Sequence, residues 1–547
     1  MQTKCLDGGT LVRLLLGGAE KIRENKETIN ELNVFPVPDG DTGTNMMRTV
    51  ESGVDKLTEE NRPVGDVAKA FATGTLLGAR GNSGVILSQF VSGICSALSG
   101  SETVTARQLA EAGLEGVRRA YAAVANPTEG TMLTVFRESV DYALAHLTEE
   151  GDLEELLRLQ IEEAERSLAR TKELLPVLAE ADVVDSGGAG YLCILIGMYE
   201  TLIGKMSAVH FGGGRARETE TDYSLFTADS ELAFGYCTEC LVRLQNAKGD
   251  PEAFDREAFL AALTAMGGDS VVLLRDGDVL KLHVHIKTPG DVLALCQKYG
   301  EFLQVKVENM SLGHSGEKPT AEKDRRRKRY ATVAVANGDG LAALFHDLGA
   351  SVVVDGGQTA NPSAEELLSA FAEANAETVF VLPNNGNILL TAEQAASLCE
   401  ETRVIVVPTR TLPEGYAALS VFYEAADTPE DLLLDMTDAA EAVTSCEVSL
   451  AVRDAVVDGV SVKAGEHIGI VNGRLGIAKA TEREALIATV SAAVTDDTEL
   501  LTLFVGEGVT EEERVLATEA LEEAFPDLEV TVYIGGQRVY RYLISLE

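Results

Sequence analysis

The chain has 547 residues, with 46 Lys+Arg against 87 Asp+Glu and a formal net charge of −41. That balance argues against a nucleic-acid partner, because phosphate backbones are bound by Lys and Arg. The length predicts about three or four domains, the 45% hydrophobic content supplies sizeable cores, and no apolar run is long enough to span a bilayer.

Residues 1–204 read as helical, with apolar residues at helical spacing in Leu6–Ile29, Val67–Leu77, Val85–Leu98, Ala106–Ala123, Met132–His146, Leu153–Ala181 and Gly190–Ile203. Leu11–Leu16 is interrupted by Arg13 and followed by charges, which predicts no signal peptide. The run Phe211-Gly-Gly-Gly-Arg-Ala-Arg-Glu reads as a linker. From there to about residue 312 the pattern becomes strand (Phe234–Leu244), helix (Pro251–Met266), hairpin (Ser270–Leu274, Val279–Ile286), helix (Pro289–Tyr299) and strand (Phe302–Val307). That order predicts a ferredoxin-like α+β domain over 205–312. Residues 313–329, with the basic run Arg325-Arg-Arg-Lys-Arg, read as a second linker. Residues 330–547 alternate short β-rich runs with helical ones, the signature of an α/β domain. They hold 10 Lys+Arg against 37 Asp+Glu, so most of the chain's negative charge sits there. Solubility accounts for such charge, and so does capture of a basic partner. The eight cysteines are scattered, with Cys237 and Cys240 alone close together, which predicts a reducing, cytoplasmic setting rather than a disulfide framework.

Four breaks in the helical region carry chemistry. In Asn33-Val-Phe-Pro-Val-Pro-Asp39-Gly-Asp41-Thr-Gly-Thr44-Asn45-Met46, side chains two apart share a face of an extended turn, so Asp39 and Asp41 present paired carboxylates, and Asn33 adds an amide oxygen. A hard cation such as Mg²⁺ takes that donor set together with phosphates. Thr42, Thr44 and Asn45 open a helix whose N-terminus favours anions. The ordinary alternative is an Asp-Gly turn capping a helix. Gly78-Ala-Arg-Gly81-Asn82-Ser83-Gly84 permits close backbone approach, and Asn82 and Ser83 can donate to phosphate oxygens. Asp185-Ser-Gly187-Gly188-Ala-Gly190 precedes an apolar helix and reads either as a further phosphate loop or as an N-cap. Thr131 and Met132, opening another helix, are candidates to line a base pocket. In the middle region a thiol at Cys237 and two imidazoles, His283 and His285, suit Zn²⁺, with Cys240 and His210 as further candidates for the fourth place. Asn384-Asn385-Gly386-Asn387 follows a predicted strand end, where open α/β sheets place binding residues.

On the first three of these motifs, residues 1–204 resemble the nucleotide-binding domain of the dihydroxyacetone kinase superfamily, and the whole chain resembles the ATP-binding subunits of bacterial fatty-acid kinases. Phe234-Gly-Tyr-Cys-Thr-Glu239, Leu282-His-Val-His285, Gly356-Gly-Gln-Thr359, Asn361-Pro-Ser363, Leu382-Pro-Asn-Asn385 and Val407-Pro-Thr409 are similar to that family too. The resemblance implies an N-terminal all-α antiparallel helical barrel with ATP at one end, Mg²⁺ on Asp39 and Asp41, and a functional Cys/His group at Cys237, His283 and His285. It implies a homodimer whose acidic C-terminal domain docks a separate fatty-acid-binding protein, and a product that is an acyl phosphate. Asn33 stands where the sugar kinases of the superfamily have a third aspartate. Thr42 stands where some have a histidine, which argues against their substrate chemistry. A kinase of a glycerone-like sugar and a non-catalytic nucleotide-binding scaffold are the competing readings.

Overall fold

The computed structural model describes residues 5–33, 40–57, 62–205, 236–245, 247–249, 254, 256–266, 269–276, 279–309, 327–358 and 360–547. Two compact units divide the chain: Met1–His210 together with Arg327–Glu547, and Phe211–Arg326. The two ends of the sequence thus fold against each other.

In the first unit β1 (Cys5–Leu6) leads into α1 (Gly8–Glu31), α2 (Thr42–Val54), α3 (Val64–Leu77) and α4 (Gly81–Ala97). The strand β2 (Val104–Thr105) pairs with β1, and α5 (Ala106–Ala122), α6 (Met132–His146), α7 (Leu153–Leu174), α8 (Pro176–Ala181) and α9 (Ser186–Leu202) follow. Pro176 divides the predicted Leu153–Ala181 segment, because proline favours a helix start and breaks a helix interior. Each helix from α2 to α7 packs on its predecessor, α7 packs on α9, and α9 closes onto α1, so the contacts form a ring. Small residues allow the closure: Gly17 lies against Thr201 and Gly197, and Gly190 against Met46. Inside the ring Phe90 and Phe136 stack at 4.2 Å between centroids, and Tyr191 meets both edge-on. Beside them lies an apolar cavity of about 130 Å³, lined by residues such as Leu14, Phe71 and Ile194.

The other half of this unit begins with a parallel sheet. Its elements are β7 (Lys328–Ala336), α12 (Asp339–Asp347), β8 (Val352–Asp355), α13 (Ala364–Ala374), β9 (Ala376–Leu382), α14 (Gly386–Leu398) and β10 (Arg403–Val406), then α15 (Leu412–Ser420) and α16 (Pro429–Ala442). The strand order is β10-β9-β7-β8. Both faces of β7 and β9 are buried, which explains their continuous apolar runs. A second sheet, ordered β15-β14-β11-β18-β16-β17, is mixed. It comprises β11 (Thr444–Leu450), β14 (His467–Val471), β15 (Arg474–Lys479), β16 (Leu500–Val505), β17 (Glu529–Ile534) and β18 (Tyr542–Leu546), with α17 (Glu482–Ala493) and α18 (Glu511–Ala524). A small hairpin, β12 (Ala455–Val457) and β13 (Val460–Val462), packs against it through Val457 and Val462.

The middle unit runs β3 (Tyr236–Leu244), α10 (Arg256–Ala265), β4 (Asp269–Asp276), β5 (Val279–Ile286), α11 (Pro289–Gln297) and β6 (Gly300–Asn309). Its sheet is ordered β4-β5-β3-β6, with every neighbouring pair antiparallel. Cys240, Val242, Leu280, Leu282 and Val284 bury one face with Phe259, Leu263 and Val292 of the helices.

Candidate active site

The glycine-rich breaks are helix starts rather than long loops. The helix α4 begins at Gly81, not at Val85, and α9 begins at Ser186, not at Gly190. Direct contacts gather four of these starts. An ideal Cβ on Gly81 would meet Asn45 Nδ2 at 2.7 Å, which brings α4 to α2. Asp185 accepts from the backbone N–H of Met132, which brings α9 to α6. The Met46–Gly190 contact joins the pairs.

Asp41 is the N-cap residue of α2 but makes no side-chain cap bond. The capping work is done by Asn30, at the end of α1: its Oδ1 accepts from the backbone N–H groups of Gly43 (2.8 Å) and Thr44 (3.2 Å), and its Nδ2 donates to Thr44 Oγ1 (3.0 Å). The predicted anion-binding N–H of Thr44 is therefore already engaged, and Asn45 N donates to the backbone oxygen of Asp41. Sequence reading missed Asn30, which lies outside the motif and looks like any polar residue near a helix end. Asp39 lies outside the described residues. Asn33, at the end of the α1 turn, is half-buried.

The carboxylate of Asp41 instead receives a donor from the far half of the chain. Asn361 Nδ2 donates to Asp41 Oδ2 at 2.5 Å. Around that bond the two halves are clamped together. Arg80 donates to the backbone oxygen of Asn361 (2.8 Å) and to both carboxylate oxygens of Glu366 (2.9 and 3.1 Å). Ala364 N reaches Ala79 O, Asn82 Nδ2 reaches Asn387 Oδ1 (3.3 Å), and Gln394 Nε2 reaches Leu76 O (2.6 Å). Burial raises the Glu366 pKa, but Arg80 and the capping groups of Ser363 outweigh it and hold the carboxyl below its usual range. Ser83 is half-buried and Gly84 is buried against Thr49.

In the other pair of helix starts, Asp185 caps α9 through Gly188 N at 2.6 Å, so the cap alternative describes its carboxylate. Met132 is buried in the ring's core, with Gly187 packed against its sulfur. Thr131 is half-buried, its hydroxyl donated to Thr128 O. Burial pushes the Asp185 pKa up to about 6, against the pull of N–H groups from Gly188, Met132 and Gly187. A carboxyl that titrates higher folded than unfolded binds more protons in the native state between its two pKa values. Its contribution to stability therefore falls as pH rises from about 4 to about 6. Asp185→Asn keeps a capping oxygen and removes the charge. Relative to wild type, it is expected to gain thermal stability steadily across that window and to hold a constant offset above pH 7. Unfolding midpoints between pH 4 and 8 check this, and a flat difference would refute it.

In the middle unit Cys240 is buried among apolar side chains, its thiol beside that of Cys296. By strand alternation it belongs to the opposite face from position 237, so it does not suit a ligand set shared with Cys237. The register sets Cys237 opposite His285 and Glu239 opposite His283. The side chains of Cys237, His283 and His285, and all of His210, lie outside the described residues.

In the C-terminal half, Asn384 adopts φ +53° and is absorbed by the fold: Nδ2 donates to Val335 O, and Thr409 Oγ1 donates to Asn384 Oδ1. Asn385 caps α14 and donates to Gln358 (2.6 Å). Asn385 and Asn387 do line a polar cavity of about 680 Å³, with Arg410, Glu441, Glu447 and Tyr540.

Comparison with known proteins completes the picture. Residues 36–200 match a DAK2 domain, residues 233–317 the middle domain of FakA-like fatty acid kinase proteins, and residues 331–547 their C-terminal domain. Protein YloV of Bacillus subtilis is 38% identical over 570 residues, covering 100% of both chains. The chain belongs to the FakA-like fatty acid kinase family. The uncharacterized protein SH1689 of Staphylococcus haemolyticus is 37% identical over 554 residues, covering 99% of each chain. Among solved structures, the dihydroxyacetone kinase of C. freundii in complex with AMP-PNP and Mg²⁺ aligns over 54% of this chain and 56% of its own, at 13% identity and a TM-score of 0.30. The family's domains make this chain a phosphotransferase of a fatty acid kinase system. No helix among the described residues is long and apolar enough to cross a membrane.

Proposed function

We propose that this chain is the ATP-binding component of a fatty-acid kinase, transferring the γ-phosphoryl group of ATP to the carboxylate of a fatty acid presented by a separate fatty-acid-binding protein. The observation that carries the reading is the Asp41 carboxylate. It is not spent on capping its helix, and it stands at the start of α2, against which the start of α4 packs. Asp39, Asp41 and Asn33 would hold Mg²⁺, whose role is to neutralise charge on the phosphoryl oxygens. The donor set fits: buried amide oxygens of Asn82 and Asn361, which flank Gly81, have no partner among the described residues, and such oxygens suit a hard cation. Thr42, Gly81, Asn82, Ser83 and Gly84 would position the phosphates, with Thr44, Asn45, Thr131, Met132, Asp185, Gly187 and Gly188 shaping the rest of the nucleotide site.

A carboxylate oxygen of the acceptor attacks the γ-phosphorus, the bond to the bridging oxygen breaks, and ADP leaves with that electron pair. Because the acceptor is ionised at neutral pH, no general base is required of this chain. Zn²⁺ at Cys237, His283 and His285, a homodimer, and docking of the lipid carrier on the acidic C-terminal domain belong to the same proposal; the β3–β5 register supports the first.

The test is a reconstituted assay with ATP, Mg²⁺, oleate and a fatty-acid-binding protein. Acyl phosphate is expected only when this chain and the carrier are both present. Transfer to glycerone without a carrier would favour the sugar-kinase reading. Nucleotide binding with no transfer to either acceptor would favour the scaffold.

A further inference from the structure

We infer that Asn361, in the C-terminal half, is a positioning residue of the phosphoryl-transfer site that orients Asp41 and offers an amide oxygen toward the metal. The inference rests on the proposed Mg²⁺-ATP site and assigns that site a residue 320 positions away in sequence.

The geometry leaves the amide little choice. A carboxylate accepts and cannot donate, so the Asn361 amide must turn its NH₂ to Asp41. That orientation forces Oδ1 to the other side. There it is buried, with Asn361 only 2% exposed, and has no hydrogen-bond partner among the described residues. A buried carbonyl oxygen left without a donor is destabilising. A cation, or a water bound to one, would satisfy it, and the amide that carries it is hydrogen-bonded to the carboxylate proposed for the metal. Groups that orient metal ligands are worth about 10–100-fold in metal affinity.

The backbone around Asn361 is held rigidly enough for this work. Arg80 grips its carbonyl oxygen and, through Glu366, the first turn of α13. The Ser363–Glu366 capping box fixes that turn in its own right. Gly81 makes the approach possible: its absent side chain would stand 3.3 Å from Asn361 Nδ2. The C-terminal half is thus a wall of the nucleotide site as well as a domain that docks on it.

The experiment measures ATP binding by full-length protein as a function of Mg²⁺, without lipid or carrier, so that turnover plays no part. Asn361→Ala is expected to raise the half-saturating Mg²⁺ concentration about 10–100-fold, with metal-free ATP binding within about twofold of wild type. Gln394→Ala breaks the same interface away from Asp41 and is expected to lower thermal stability without moving the Mg²⁺ midpoint. If Asn361→Ala does not fold, Asn361→Leu keeps the volume, removes both polar atoms and is read in its place. A Mg²⁺ midpoint unchanged in the Asn361 variant overturns the inference, and so does an equal shift in Gln394→Ala. A wild type whose ATP binding ignores Mg²⁺ overturns the site reading itself.

Discussion

Asp41→Ala is expected to lower acyl phosphate formation by about a thousandfold, the scale of losing a principal electrostatic contact in a transition state, while the protein stays folded. The fold survives because α2 does not depend on this side chain for its cap. Asn30 satisfies the N–H groups of Gly43 and Thr44 whether or not Asp41 keeps its carboxylate. What the substitution does strand is the buried donor of Asn361, at a cost of about 1–3 kcal/mol in stability. Asp41→Asn separates the two effects. Its amide oxygen still accepts from Asn361, so thermal stability returns toward wild type. A neutral amide is a poorer Mg²⁺ ligand, so turnover stays low. Unfolding midpoints beside a reconstituted assay read both quantities. Turnover within tenfold of wild type for Asp41→Ala would remove the carboxylate from the metal site.

The contrast between Asp41 and Asn30 shows what a sequence can and cannot display. The paired aspartates, the glycine runs and the helical spacing around them are legible because each is local. The apolar repeat marks α1 and α3–α7, and the β-rich runs mark the parallel sheet because its central strands are buried on both faces. Two hairpins carry a local signal that the strand and helix spacing alone does not reveal. Asp458-Gly459 and Asn472-Gly473 have the left-handed φ values that two-residue hairpin turns require, and Asp-Gly and Asn-Gly are the strongest short signals for such turns. Apolar spacing places the starts of α4 and α9 about four residues late because glycine lowers helix propensity, yet a first turn tolerates it when another helix must come close. The contacts of Asn361 with Asp41 and of Glu366 with Arg80 are not legible at all. They join positions about 300 apart in the chain, and each residue alone reads as part of a helix cap. The C-terminal half looks from the sequence like a distant docking platform, whereas its parallel sheet brings the start of α13 onto the start of α4.

The same close approach makes Gly81→Ala a damaging small substitution in the site. Gly81 has φ +59°, a region that costs an L-residue about 1–2 kcal/mol. The added methyl would also stand 2.7 Å from Asn45 Nδ2 and 3.3 Å from Asn361 Nδ2. Neither amide has room to swing out, since Asn45 is 5% and Asn361 2% exposed. Either α4 loses its first residue or both amides shift, and a shift moves the Asn361 donor off Asp41. ATP affinity in the presence of Mg²⁺ is therefore expected to fall about 10–100-fold, by the same loss of ligand orientation, along with a lower unfolding midpoint. Gly100→Ala is the control, because Gly100 has φ +77° and an added Cβ there would meet nothing within 4 Å. It carries the backbone cost without the collision, so it is expected to lose stability and keep wild-type ATP binding. Calorimetric titration of ATP into both variants decides the matter. Equal affinities in the two would mean that the packing at Gly81 does not orient the groups that hold the metal and nucleotide.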